Sequence, residues 1–199
     1  MRFERGPISS RTSRDLTVSQ LQSHGGSTDQ TMSIVNRLRH RFTGVVSEPD
    51  GGAADAINKG FVKCTGDIVV WLNADDYFLP GAFEKIEAAW RERSDASFWF
   101  GNGLRVDESG VTKVRFNPNP IIFDLPALTE GLNYILQPAT FIDAKALEQA
   151  GLLDVALRWS FDWDLWLRLA KVSSPATIQA DLAASREWGS TLTAGGGFV

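Results

Sequence analysis

The apolar run Ile68-Val69-Val70-Trp71-Leu72 stops abruptly at Asn73-Ala74-Asp75-Asp76. A strand with no polar alternation suits a sheet covered on both faces, the usual state of parallel strands flanked by helices. Two adjacent carboxylates at such a strand's tip repel one another, because close like charges resist joint ionisation. A hard divalent ion relieves that repulsion, and Mg2+ commonly binds through one or two carboxylates plus substrate phosphates. The plainer alternative makes Asp75 and Asp76 entry residues of the helix that Pro80 opens.

Around this run the chain alternates strand-like and helix-like segments. Val45-Val46 reads as a strand, Glu48-Pro49-Asp50-Gly51-Gly52 as a turn and Ala53–Lys63 as a helix rich in small residues. A helix is expected from about Pro80 to Arg93, a buried strand at Phe98-Trp99-Phe100, and a hairpin of Leu104–Val106 with Val111–Val114. The segment Asn117–Pro126 is loop-like. Thr140-Phe141-Ile142 is a strand, Ala144–Gln149 a helix stopped by Gly151, Phe161–Lys171 a helix and Ala176–Ile178 the last strand. Upstream, Ser27 is placed to cap a helix with Asp29 in its first turn. This order predicts an α/β fold: a mixed, mostly parallel sheet flanked by helices. Ligands of such sheets gather beyond the carboxyl ends of the strands, where Asp75 and Asp76 stand. Residues 1–24 lack either period and are expected to be poorly ordered or degenerate, leaving one catalytic domain over residues 25–199.

Composition narrows the class. A net charge of −4 argues against a general nucleic-acid binder. One cysteine, Cys64, excludes an internal disulfide and suits a reducing compartment, with a buried inert thiol as its default state. No apolar run is long enough to span a bilayer and Met1–Ser23 has no signal-peptide core, so a cytoplasmic domain is expected, with peripheral membrane contact open to it.

The ordered set Gly25-Gly26-Ser27-Thr28-Asp29, Ser47-Glu48-Pro49-Asp50-Gly51-Gly52, Asp55-Ala56-Ile57-Asn58-Lys59-Gly60, Thr65-Gly66-Asp67 and Asn73-Ala74-Asp75-Asp76 resembles family 2 glycosyltransferases, inverting enzymes of the GT-A fold. Leu136-Gln137-Pro138-Ala139-Thr140-Phe141 and Phe161-Asp162-Trp163-Asp164-Leu165-Trp166-Leu167-Arg168-Leu169 extend the likeness to about Trp188. The resemblance implies a divalent metal, Mg2+ or Mn2+, held by Asp76 with Asp75. It implies a nucleotide-sugar site that includes Asp75, Asp55, Asn58, Gly25 and Ser27, and an acceptor side with Gln137, Trp163 and Asp164. Asp162 aligns with the base that takes the acceptor hydroxyl's proton, a job Asp164 is also placed to do. The donor is then a UDP-, GDP- or dTDP-sugar and the acceptor a glycan or lipid-linked hydroxyl, in surface polysaccharide assembly.

Each assignment has a plainer competitor. Asp162 and Asp164 suit the positive end of a helix, Trp163 suits core packing, and Asn58 suits local backbone bonding. Relatives open with an apolar strand and carry an acid where His24 stands, while Arg186-Glu187-Trp188-Gly189-Ser190 resembles the start of their phosphate-side loop. The chain is therefore expected to be incomplete at both ends. An inactive remnant or partner-binding module of the same fold is the competing function. A nucleotidyltransferase is disfavoured, because the glycine-rich N-terminal loop with a basic residue is absent.

Overall fold

The computed structural model describes residues 2–4, 17–26, 29–117 and 121–187. In chain order these form β1 (Arg2–Glu4), β2 (Thr17–Ser19), β3 (Leu21–His24), α1 (Thr31–Arg37), β4 (Gly44–Ser47), α2 (Ala53–Lys63), β5 (Ile68–Val69) and β6 (Tyr77–Phe78). There follow α3 (Ala82–Glu92), β7 (Phe98–Val106), β8 (Thr112–Arg115), α4 (Leu125–Thr129), β9 (Thr140–Asp143), α5 (Ala144–Ala150), α6 (Phe161–Val172) and β10 (Ala176–Arg186). Short 3-10 turns occupy Arg39–Arg41 and Gln137–Ala139.

The central sheet runs β2-β1-β5-β9-β7-β10-β6, with β8 beside β7; β3 and β4 pair separately. The apolar run is buried on both faces, as its composition demands. Val69 and Trp71 pack with Phe61 of α2 and with Leu165, Trp166 and Leu169 of α6. Ile68 and Val70 face the other way, toward Ile86 and Trp90 of α3 and Leu182 of β10. Each fully buried side chain of this size contributes roughly 1.5–3 kcal/mol against the entropy of ordering the chain.

The sheet is mixed, but pairing direction departs from the expectation. β7–β10 and β3–β4 are parallel. β1–β2, β1–β5, β5–β9, β7–β9, β7–β8 and β6–β10 are antiparallel, so antiparallel neighbours predominate among the described residues. The apolar run reported burial on two faces, which helices on both sides supply whatever the strand direction.

Other differences have local causes. The N-terminal stretch expected to lack order contributes β1, β2 and β3. These strands are too short for periodicity to reveal, and β3 gains its register from β4, with Leu21 opposite Gly44. α1 begins at Thr31, after the expected start, with the Thr31 amide donating to the Asp29 carboxylate at 2.9 Å. Ser27 lies outside the described residues, as does the stretch from Trp188 onward. Pro80 precedes α3, whose N-cap is Gly81 in a left-handed conformation (φ 77°). β10 runs well past Ile178, and its alanines and register shifts concealed the second half. Part of the expected loop 117–126 is the start of α4, capped by Asp124. Cys64 is half-buried against the α2–α6 core.

Candidate active site

Asn73–Asp76 is a turn closed by the Asp76 amide donating to the Asn73 carbonyl at 3.2 Å. It lies between β5 and β6, and β6 is stitched antiparallel onto β10 at Ala183 and Ala184. Asp75 and Asp76 are therefore separated from α3 by a strand, and the helix-entry reading of the pair fails.

The two acids are not equivalent. Asp75 is half-buried, whereas Asp76 is only 8% exposed. Oδ1 of Asp76 accepts the Arg186 amide at 3.1 Å and Oδ2 accepts Nδ2 of Asn73 at 3.0 Å. Burial pushes the Asp76 carboxyl above the usual carboxylate range and the neighbouring Asp75 charge adds to this, against the lowering effect of those hydrogen bonds. Gln137 joins the same turn: Nε2 donates to the Trp71 carbonyl at 2.9 Å, and Oδ-bearing Asn73 donates through Nδ2 to Gln137 Oε1 at 3.3 Å. Arg186, which the sequence reading placed at the start of a phosphate-side loop, donates from Nε to the Asp75 carbonyl at 3.3 Å and from a terminal nitrogen to the Glu108 carbonyl at 2.5 Å. Its guanidinium also lies 5.8 Å from the Tyr77 ring centre. It sits at the end of β10, the strand whose length was underestimated.

α6 approaches this turn through aromatic packing. Trp71, two residues before Asn73, stacks on Trp166 with ring centres 5.6 Å apart and planes 17° from parallel. Asp162 is one helical turn before Trp166, on the same face. It is half-buried, its Oδ1 accepts the Trp163 amide at 2.9 Å, and desolvation raises its carboxyl. The residue before α6, Ser160, holds φ at 59°, a conformation that costs a non-glycine residue about 1 kcal/mol or more. Asp164 is engaged differently: Arg168 pairs with it at 2.7 Å and also donates to the carbonyls of Ala150, Gly151 and Leu152. Trp163 donates Nε1 to the Leu128 carbonyl at 3.0 Å and packs on the core, tying α6 to α4.

Two residues expected at the nucleotide sit apart from this turn in their bonding. Asn58 is buried and bonded through both side-chain polar atoms: Nδ2 donates to the Leu153 carbonyl at 2.8 Å and Oδ1 accepts the Leu153 amide at 3.0 Å. It clamps α2 to the segment before α6. Asp55 accepts the Gly51 amide and pairs with Lys59, each at 2.9 Å, which together lower its carboxyl. Gly25 lies against the Asp50 carboxylate so closely that a Cβ would collide with it. Gly25, Asp50 and Asp55 thus share the end of the β3–β4 pair, and a side chain on residue 25 would have to displace the Asp50 carboxylate.

Among the described residues no three His, Cys, Asp or Glu side chains form a ready-made metal cluster. Two hard carboxylates still suit Mg2+ or Mn2+, since such ions take their remaining ligands from phosphate and water. Each hydrogen-bonded carboxylate oxygen of Asp76 retains a further lone pair, and its raised pKa marks a charge that a cation would relieve. The residues fit the ion. A separate groove of about 600 Å3, lined by residues including Gly66, Asp67, Ser97 and Asp143, opens at the amino end of β5, opposite the acidic turn. Among the described residues no helix is long and apolar enough to cross a membrane.

The sequence profile of Glycosyl transferase family 2 matches residues 24–145. The uncharacterized glycosyltransferase MT1564 of Mycobacterium tuberculosis is 29% identical over 160 residues, covering 79% of this chain and 59% of that protein. An uncharacterized glycosyltransferase of Rickettsia felis is 23% identical over 159 residues, covering 76% of this chain and 25% of the relative. This chain therefore spans less than two thirds of either relative. Among solved structures, S. aureus TarS 1-349 in complex with UDP-GlcNAc superposes with a TM-score of 0.67 at 16% identity, over 87% of this chain and 50% of that one. TarS 1-349 alone gives a TM-score of 0.64 at 18% identity, over 83% and 50%. That likeness shows the GT-A-like fold.

Proposed function

Since this chain belongs to glycosyl transferase family 2, we propose that it carries the catalytic core of a metal-dependent inverting enzyme that moves a sugar from a nucleotide diphosphate to a hydroxyl acceptor. The observation that carries this reading is the Asn73–Asp76 turn, braced by Gln137 and Arg186 and joined to the Asp162 helix through the Trp71–Trp166 stack.

In this reading Asp75 and Asp76 hold a divalent ion, which when bound supplies Lewis-acid stabilisation to the departing diphosphate. Asp162 takes the acceptor hydroxyl's proton as its oxygen attacks the sugar carbon from the face opposite the leaving group. Partial burial suits the task, because a carboxylate raised toward the working pH is a better proton acceptor. Asp164 is the weaker candidate for this role, since its charge is committed to Arg168. Gly25 and Asp55 line the nucleotide side. Gln137 shapes the acceptor side by holding the Trp71–Asn73 segment.

The UDP and UDP-GlcNAc complexes of TarS make uridine diphosphate sugars the first donors to try, ahead of GDP- and dTDP-sugars. A glycan or lipid-linked hydroxyl in surface polysaccharide assembly is the proposed acceptor. The test is calorimetric titration of UDP and GDP with and without Mn2+, followed by a donor screen, on the parent chain and Asp76→Asn. Saturable, metal-dependent binding that the substitution abolishes supports the reading. Equal binding and turnover by both proteins would sink it.

A further inference from the structure

We propose that the face formed by α1 and the 3-10 turn after it docks on an anionic lipid surface. The inference does not rest on the glycosyl-transfer reading. Between Asp29 and Glu48 the chain has no acidic residue, yet it carries Arg37, Arg39, His40 and Arg41 in close succession. This lies within a protein of net charge −4, so the basic segment is a local inversion of the overall sign. All four side chains are exposed, and among the described residues none of them has an acidic partner.

Apolar side chains share that surface. Ile34 is 44% exposed and Leu38 37% exposed, while Val35 turns inward as the buried residue of α1. Helical spacing sets Ile34, Arg37, Leu38 and Arg41 along one stripe, since they are separated by three or four residues. The Leu38 amide reaches the Ile34 carbonyl at 3.2 Å and the Arg41 amide reaches the Leu38 carbonyl at 2.8 Å, so the stripe continues from α1 into the 3-10 turn. Arg39 points its donor elsewhere, to the Phe42 carbonyl at 2.9 Å, closing the end of the turn.

The helix dipole accounts for one cation near a C-terminus. It does not account for several, nor for two branched aliphatic side chains left in water between them. An interfacial segment needs that combination: arginines attracted to lipid headgroup phosphates and aliphatic side chains that enter the acyl boundary. A nucleic-acid backbone would satisfy the arginines but leave Ile34 and Leu38 exposed, which is why lipid is favoured.

The test is cosedimentation of the whole chain with vesicles of phosphatidylcholine alone or mixed with phosphatidylglycerol, at low salt and at about 0.15 M salt. Binding is expected only to the mixed vesicles and should weaken as salt rises. Arg37→Gln with Arg41→Gln should bind about 25-fold more weakly, at about fivefold per arginine. Ile34→Ser with Leu38→Ser should bind roughly tenfold more weakly, from lost apolar burial. Thermal unfolding of each variant serves as the folding control. No binding by the parent chain, or undiminished binding by both variants, overturns the proposal. So does comparable retention on a duplex oligonucleotide at the same salt, which would reassign the face to nucleic acid. A dimer in solution that dissociates on the Ile34 and Leu38 substitutions would reassign it to a second copy of the chain.

Discussion

The amide of Arg186 donates to Oδ1 of Asp76 at 3.1 Å, joining residues 110 positions apart in sequence. The Arg186 side chain meanwhile holds the Asp75 carbonyl and the Glu108 carbonyl of the β7–β8 connection. β10 thus braces the acidic turn from one side as Gln137 does from the other. Arg186→Gln keeps the backbone bond to Asp76 and loses the side-chain brace. Metal affinity in the presence of UDP is expected to fall about 10- to 100-fold, the usual effect of losing a residue that orients metal ligands. Calorimetric titration of Mn2+ measures it, and an unchanged affinity would show that the brace is not needed.

Asp162 yields a prediction with opposite consequences for turnover and stability. Removing a general base costs about 100- to 10,000-fold in rate, so Asp162→Asn should lose turnover by that order. Burial raises the folded-state pKa of Asp162 above its unfolded value. The protonated folded form is therefore favoured: the stabilisation is fully present below about pH 3.9 and is lost as pH rises through the folded pKa. At neutral pH the parent holds a poorly solvated charge that the asparagine variant lacks. The variant should unfold at a higher temperature than the parent near pH 7, with the advantage shrinking as pH falls below the folded value. In the parent, kcat/KM should decline as acid protonates this carboxylate.

How much of this was readable in advance depends on how local the cause is. Ala53–Lys63, Phe98-Trp99-Phe100 and Phe161–Lys171 stand out because each carries its own apolar pattern, and the structure forms all three. β1 to β3 escaped because strands of three or four residues owe their existence to their neighbours. The second half of β10 is rich in alanine, a poor strand former, and is interrupted at Asp181, where the register shifts and Arg115 pairs at 2.7 Å. At the site, adjacent acids after a buried run pointed to the turn, and Gln137 does meet it. The clamp that Asn58 makes was not legible, because nothing in its own helix announces a bond to Leu153, 95 residues away. The bonds from Arg186 to the Asp75 and Glu108 carbonyls were not legible for the same reason.

The Trp71–Trp166 stack should couple core stability to the site. Trp166 is fully buried against Trp71 and Phe98. Trp166→Ala is expected to cost about 3–5 kcal/mol, lowering the unfolding midpoint by roughly 10 °C in a chain of this size. Trp71 also supplies the carbonyl that Gln137 binds, so nucleotide affinity should drop along with stability. Trp166→Phe, which keeps a ring in place, should recover most of both. Calorimetric melts and UDP titrations on the two variants separate this coupling from a purely structural loss, which would leave affinity of the folded fraction intact.

Gly103 makes the last case, because its constraint comes from backbone and cannot be relaxed by a side chain. A Cβ at this position of β7 would collide with the Ala183 carbonyl oxygen of β10 and with Cδ2 of Leu136. Ala183 is the residue that pairs with Phe78, just beyond the acidic turn. Gly103→Ala must therefore push β10 outward, and overpacking of this kind costs about 3 kcal/mol. The midpoint should fall by roughly 6–12 °C. Shifting β10 also shifts Arg186, so metal-dependent UDP binding should weaken more than unfolding alone explains. Adding Leu136→Ala removes one collision and leaves the carbonyl in place, so the double variant should remain impaired in binding. Full recovery in that variant would show that Leu136, and not the β10 backbone, is what excludes a side chain at residue 103.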